Sequence, residues 1–202
     1  MIEAIIFDFG DVFINLDKQA TQNNLKKMDI LDLPEVLIEK NKEYEQGFIS
    51  SNEISEHYQS QFPKLKHDIF LDSWNSILLD FPEYRLRFIE KLAEEKDFKL
   101  ILLSNTNENH IEYIKENVPF FNDFKDCFDA FYLSHEIGMR KPEPEIYKYV
   151  IGQHDLKPEN CLFIDDTQEN TESADKLGFH TWNISPSHED VIDLFTIKKE
   201  LF

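Results

Sequence analysis

A chain of 202 residues with 41% hydrophobic content and 18 Phe carries enough apolar mass to bury a core of its own. Its formal charge of −19, from 21 Lys and Arg against 40 Asp and Glu, excludes the accumulated cations that nucleic-acid phosphates or an anionic membrane surface require. Two cysteines, Cys127 and Cys161, make neither a disulfide framework nor a zinc-ligand spacing, and no apolar run reaches the roughly 18 residues of a membrane span.

Five short apolar runs, at 2–8, 99–103, 129–134, 160–165 and 179–183, recur between segments of helical period. That is the pattern of βα units stacking into a parallel sheet, so the expected class is α/β. Between the first two runs lies an interval, 15–82, with no convincing strand, which reads as four amphipathic helices. Leu33-Pro34 precedes one of them, with Val36, Leu37 and Lys40 at helical spacing, and Gly47 ends it. Ser50 with Glu53 makes a capping box for the next, and Phe70, Leu71, Trp74, Ile77 and Leu78 form a further apolar stripe. The expected organisation is therefore an α/β core from 1–14 and 83–202 interrupted by a helical module at 15–82. The opening residues show no basic region, apolar stretch of signal length or small-residue cleavage site. A reducing cytoplasm is the expected compartment and a monomer the default state.

In an open parallel sheet, ligands bind at the carboxyl ends of the strands. Four of these ends carry chemistry here. The first strand runs into Asp8-Phe9-Gly10-Asp11, which places a carboxylate at the site. The second ends in Ser104-Asn105-Thr106-Asn107, where a hydroxyl and backbone N–H groups at a helix entry make an anion site. After the third comes Gly138-Met139-Arg140-Lys141-Pro142-Glu143-Pro144, in which glycine and prolines stiffen a basic loop. The fourth ends in Asp165-Asp166, adjacent carboxylates that repel unless a cation or ordered donors compensate them. Mg²⁺ suits that setting, because it is held by one or two carboxylates together with substrate phosphate. Asn170, five residues after Asp165, is placed to orient the lysine or the acidic pair.

In order along the chain, these motifs resemble the haloacid dehalogenase-like superfamily: Asp8-Phe9-Gly10-Asp11-Val12, then Leu103-Ser104-Asn105, then Lys141-Pro142, then Ile164-Asp165-Asp166 with Asn170. The resemblance covers essentially the whole chain and extends to the Tyr44-Glu45-Gln46-Gly47-Phe48-Ile49-Ser50 turn of the helical interval, which in that family forms a small cap over the site. It implies a Rossmann-like parallel sheet with an inserted helical-bundle cap. Within the superfamily the chain looks closest to bacterial α-D-glucose-1-phosphate phosphatases. The implied activity is Mg²⁺-dependent hydrolysis of a small phosphorylated metabolite through an aspartyl-phosphate. Asp8 is then the nucleophile; Asp8, the Gly10 carbonyl and Asp166 hold the metal, with Asp165 close behind. Ser104 and the Asn105 N–H bind a phosphoryl oxygen, and Lys141 neutralises charge while restraining Asp8.

One position departs from the commoner pattern. Many phosphatases of the superfamily carry a second Asp two residues after the nucleophile for proton transfer, and here that residue is Gly10. The glucose-1-phosphate phosphatases share this glycine, and Asp11 is the neighbouring carboxylate that could substitute. Slow turnover is expected, since such proton transfer contributes about 10²–10⁴. Two alternatives stand beside the phosphatase: a 2-haloacid dehalogenase, which also uses an aspartate nucleophile, and a catalytically silent binding module. Substrate choice should rest with cap side chains, among which Tyr44, Phe48, Trp74 and Asn75 are candidates.

Overall fold

A computed structural model describes residues 1–202. Strand β1 (Ala4–Phe7) is followed by helices α1 (Ala20–Lys26), α2 (Glu35–Glu45), α3 (Ser51–Gln61), α4 (His67–Asn75) and α5 (Glu83–Glu95). Then come β2 (Lys99–Ser104), α6 (Glu108–Asn117), α7 (Phe121–Asp126), β3 (Ala130–Leu133), α8 (Ser134–Ile137) and α9 (Pro144–Gln153). The chain closes with β4 (Cys161–Asp165), α10 (Gln168–Asp175), β5 (His180–Asn183) and α11 (Leu194–Ile197). Each of the five expected runs is a strand. They form one parallel sheet in the order β3-β2-β1-β4-β5, with Ile6 of β1 opposite Ile101 and Phe163.

This order places β1 at the centre and reverses direction there, β2 and β3 lying on one side and β4 and β5 on the other. The crevice outside such a reversal point is where open α/β sheets bind ligands. Both faces of the sheet are covered, so the central strands are apolar throughout rather than alternating. On one face Ile5, Phe7 and Phe9 join Phe13, Phe81 and Phe124; on the other Ala4 and Ile6 join Ile101, Phe163 and Tyr147. The phenylalanines pack as a continuous set, with Phe9 stacked on Phe124 at 5.3 Å and Phe13 edge-on to it at 4.9 Å. Asp8, between Phe7 and Phe9, is thus held by packed rings on either side in sequence.

Helices α1 to α4 bury a cluster of their own, which includes Leu25, Leu37, Tyr44, Tyr58 and Phe70. In α2 the burial falls on Leu37 and Tyr44, whereas Val36 is exposed. The expected capping box is present at the start of α3: Glu53 N–H donates to Ser50 Oγ, and Ser50 N–H donates to Glu53 Oε2 at 2.8 Å. Helix α4 ends at Asn75, so Ile77 and Leu78 do not extend its stripe. They form part of a short antiparallel ribbon in which Asp17 N–H donates to the Ile77 carbonyl at 2.8 Å and Leu16 pairs with Leu78. Through this ribbon the chain leaves and re-enters the sheet domain.

The helical segment also touches the sheet domain directly. Arg140 donates to Glu45 Oε2 through Nε at 3.0 Å and Nη2 at 2.8 Å, and Asn109 Nδ2 donates to Asn75 Oδ1 at 2.8 Å. Gly47, just past α2, has φ +70, and a Cβ there would fall 2.0 Å from the His135 carbonyl oxygen. Only glycine permits both that backbone conformation and that approach.

Candidate active site

The carboxyl ends of β1, β2 and β4 converge on Lys141. Its side chain is fully buried, and its three N–H donors each have an acceptor: Asp165 Oδ2 at 2.6 Å, Asp8 Oδ1 at 2.8 Å and the Leu103 carbonyl at 2.8 Å. Burial works against a charged lysine, yet Asp165 and Asp8 outweigh it and raise the ammonium's pKa. Lys141 is therefore a permanent internal cation.

The loop that carries it is fixed from 36 residues away. Asn105 Nδ2 donates to the Lys141 carbonyl and Lys141 N–H donates to Asn105 Oδ1, both at 2.8 Å. This reciprocal pair fixes the Asn105 side chain against the loop, and its backbone N–H is a further group able to meet an anion. Ser104, the last residue of β2, is buried beside it. Asn107 caps α6 by accepting from His110 N–H at 3.0 Å.

Three carboxylates meet at the same place. Asp8, Asp165 and Asp166 each offer an oxygen within 4.8 Å of the others. Burial and then the proximity of Asp165 and Asp166 push the Asp8 carboxyl up to about 7, against the pull of Lys141. Asp166 is raised as well, by burial first and by Asp165 and Asp11, with Lys18 opposing. Crowded oxygen donors whose charged forms are penalised in this way fit a hard divalent cation such as Mg²⁺. The three are not equivalent. Asp165 already accepts from Lys141, from Thr167 N–H at 2.8 Å and from Asn170 Nδ2 at 3.0 Å to each oxygen. Asp165 thus has protein partners on both oxygens, whereas Asp8 and Asp166 each keep one oxygen without a protein partner.

Asp11 and Gly10 are governed by the ribbon. Asp11 sits at φ +54, accepts from Leu16 N–H at 2.9 Å and faces Lys18 at 3.2 Å, so its carboxylate closes the turn after β1. A Cβ added at Gly10 would lie 2.7 Å from Leu16 Cδ1. A side chain at position 10 would have to displace the end of the Leu16 side chain.

Sequence reasoning missed Lys18. Its ammonium pairs with Asp166 and Asp11, and it reaches them only because the ribbon folds the segment after β1 back over the strand ends. Its ten-residue distance from Asp8 was the one available signal, too weak to single out a lysine in a loop. Gly10, Lys18, Ser104 and Asn105 share the wall of a cavity of about 650 Å³ with residues of α1, α2 and α4. Of the candidate specificity residues, Trp74 lines it, while Tyr44, Phe48 and Asn75 do not.

A model of the haloacid dehalogenase-like hydrolases matches residues 2–178. The chain belongs to that family. Among members of the haloacid dehalogenase-like family it is 29% identical over 194 residues to D-ribitol-5-phosphate phosphatase of Bacteroides thetaiotaomicron, covering 90% of this chain and 91% of that one. A sesquiterpene phosphatase of Aspergillus oryzae is 23% identical over 95% of this chain and 94% of its own. The crystal structure of a family enzyme from Bacteroides thetaiotaomicron, solved as a magnesium complex, superposes with a TM-score of 0.85 at 34% identity, over 96% of this chain and 98% of that one. No helix here is long and apolar enough to cross a membrane.

Proposed function

We propose that this haloacid dehalogenase-like hydrolase is a Mg²⁺-dependent phosphatase for a small sugar or polyol phosphate, with Asp8 as nucleophile. The observation that carries the reading is the buried Lys141 ammonium joining Asp8 to Asp165 beside a third carboxylate, Asp166. That arrangement offers a nucleophile, a fixed cation and oxygen ligands for a second cation at the reversal point of the sheet. Relatives named as phosphatases and a neighbour solved with magnesium support it.

In the proposed reaction an Asp8 carboxylate oxygen attacks phosphorus in line, the bond from phosphorus to the alcohol oxygen breaks, and the phosphoryl group rests on Asp8 until water cleaves the acyl phosphate. The equatorial oxygens gather charge during each transfer, and stabilising that charge is most of what the protein must do. Ser104 Oγ and the Asn105 N–H bind one such oxygen, and Lys141 neutralises charge while fixing Asp8. Asp8, Asp166 and the Gly10 carbonyl would hold Mg²⁺, which when bound would add positive charge to the site. No side chain at position 10 protonates the leaving oxygen, so solvent supplies that proton. Residues 15–82 act as a cap and 1–14 with 83–202 as the catalytic core. The ribbon and the Arg140–Glu45 contact support that division.

A 2-haloacid dehalogenase would use Asp8 as nucleophile but leave Asp166, the further carboxylate of the cluster, without a task, since halide displacement needs no metal. The test is hydrolysis of p-nitrophenyl phosphate with and without Mg²⁺, followed by a panel containing D-ribitol 5-phosphate and α-D-glucose 1-phosphate. Wild type is expected to turn over only with Mg²⁺, and Asp8→Asn to lose turnover. A protein inert toward the whole panel at high concentration is the silent binding module instead, and full turnover by Asp8→Asn removes the nucleophile assignment.

A further inference from the structure

The cavity above the strand ends falls within the roughly 300–1,000 Å³ typical of small-molecule sites, and 13 of its 25 lining residues are apolar. Helix α2 breaks that pattern. Leu37 and Tyr44 lie on its buried face, and Asn41, between them at helical spacing, belongs to the same stripe. A polar residue on a buried stripe costs stability unless its groups are satisfied. Only half of Asn41 is. Its Oδ1 accepts from the buried Tyr58 hydroxyl at 3.0 Å, and Nδ2 has no partner in the protein. Glu45, one turn further on and also in the cavity wall, repeats the arrangement with opposite sense: Oε2 takes both bonds from Arg140, and Oε1 is unengaged. Each side chain is clamped at one atom and open at the other. Such clamping removes the rotamer entropy that a ligand would otherwise have to overcome.

Asn41 therefore presents two N–H donors and Glu45 a charged acceptor, with Cβ atoms about 5–6 Å apart. A hydroxyl can accept from the first while another donates to the second. We propose that Asn41 and Glu45 recognise hydroxyl groups of the leaving alcohol, and that the substrate is a phosphomonoester of a polyhydroxylated chain or ring. The apolar lining covers its C–H edges. This rests on the phosphatase reading above, and the experiment separates the two.

The probes are a pentitol phosphate and n-pentyl phosphate, which share carbon count and reacting group and differ in hydroxyls. Wild type should prefer the pentitol phosphate in kcat/KM by at least about 10²-fold, because sites built to bond a hydroxyl reject analogues that lack it. Asn41→Asp keeps an acceptor for Tyr58 and replaces both donors with a second acceptor. It should lower the ratio of the two kcat/KM values at least about tenfold, mainly through a higher KM for the pentitol phosphate. Glu45→Gln, which keeps an oxygen for Arg140, should act in the same direction. Inhibition by free pentitol should weaken in both. Absence of turnover on p-nitrophenyl phosphate by wild type overturns the phosphatase reading. Turnover there with no preference for the pentitol phosphate, or with a ratio unmoved in both folded variants, overturns the assignment of Asn41 and Glu45.

Discussion

Replacing Lys141 with Met keeps an unbranched side chain of similar length and removes three hydrogen bonds and the charge. The acceptors left behind are the Leu103 carbonyl, Asp8 and the fully buried Asp165. Breaking a buried ion pair from one side costs about 3–5 kcal/mol, because the remaining carboxylate has neither water nor a counter-charge. At about 2–4 °C per kcal/mol for a chain of this size, the melting temperature should fall by about 6–20 °C near pH 8. The fall should be smaller near pH 5, where Asp8, whose carboxyl is pushed up to about 7 by burial, escapes the penalty by taking a proton. Mg²⁺ should recover part of it by supplying a second cation to the same oxygens. Thermal melts of wild type and Lys141→Met at both pH values, with and without Mg²⁺, measure all three effects. A variant that melts with wild type near pH 8, or that loses the same amount at both pH values, refutes the electrostatic account.

The remaining expectations concern pH, position 10 and a cap. Asp8 is raised from 3.8 to about 7, chiefly by burial, so between these values the metal-free folded state binds more protons than the unfolded state. Stability should therefore decline as pH rises through that window, and Mg²⁺ should raise the melting temperature more near pH 8 than near pH 5. Gly10→Asp should destabilise by about 1–3 kcal/mol because its Cβ meets Leu16, while Gly10→Asp with Leu16→Ala should regain stability. If the new carboxyl then reaches the leaving oxygen, turnover of poor leaving groups should rise by as much as about 10²–10⁴ over wild type. A double variant that is stable and no faster shows that position 10 does not face the leaving oxygen. Ser50→Ala removes the cap of α3 and should cost about 1 kcal/mol, read as a drop of about 2–4 °C.

Strand-end chemistry was legible because each motif is local: an apolar run fixes a strand, and the next two residues are delivered to its carboxyl end. Asp8, Ser104 and Asp165 follow from that rule without knowledge of the fold, whereas Lys141, eight residues past β3, is singled out by its stiff loop and the family resemblance. What stayed hidden depends on chain path. Ile77 and Leu78 continue the apolar period of α4 in sequence, yet Asp17 and Leu16 claim their backbone for the ribbon. That same ribbon brings Lys18 to Asp166 and Leu16 over Gly10, contacts with no periodic signature. The side-chain amide of Asn105 is a strut for the lysine loop, a pairing with the Lys141 backbone 36 residues away that no local motif shows. Asn41 was passed over because one polar residue in an amphipathic helix reads as solvent-facing, and the phase of α2 differs by one residue from the Val36-centred stripe.

Gly47 bears on how this protein can diversify. Its backbone rests against the His135 carbonyl with no space for a side chain, and Glu45 beside it grips Arg140 from the lysine-bearing loop. The helical segment is seated on the catalytic half at the end of α2, through the ribbon, and where Ser51 of α3 and Asn75 of α4 bond Glu108 and Asn109 of α6. Redrawing those helices, and with them the range of alcohols admitted, has to keep the α2 joint, the ribbon and the bonds to α6 together. For laboratory grafting, the practical unit is the helical segment transplanted with its Glu45-Gln46-Gly47 joint, its ribbon and its Ser51 and Asn75 intact.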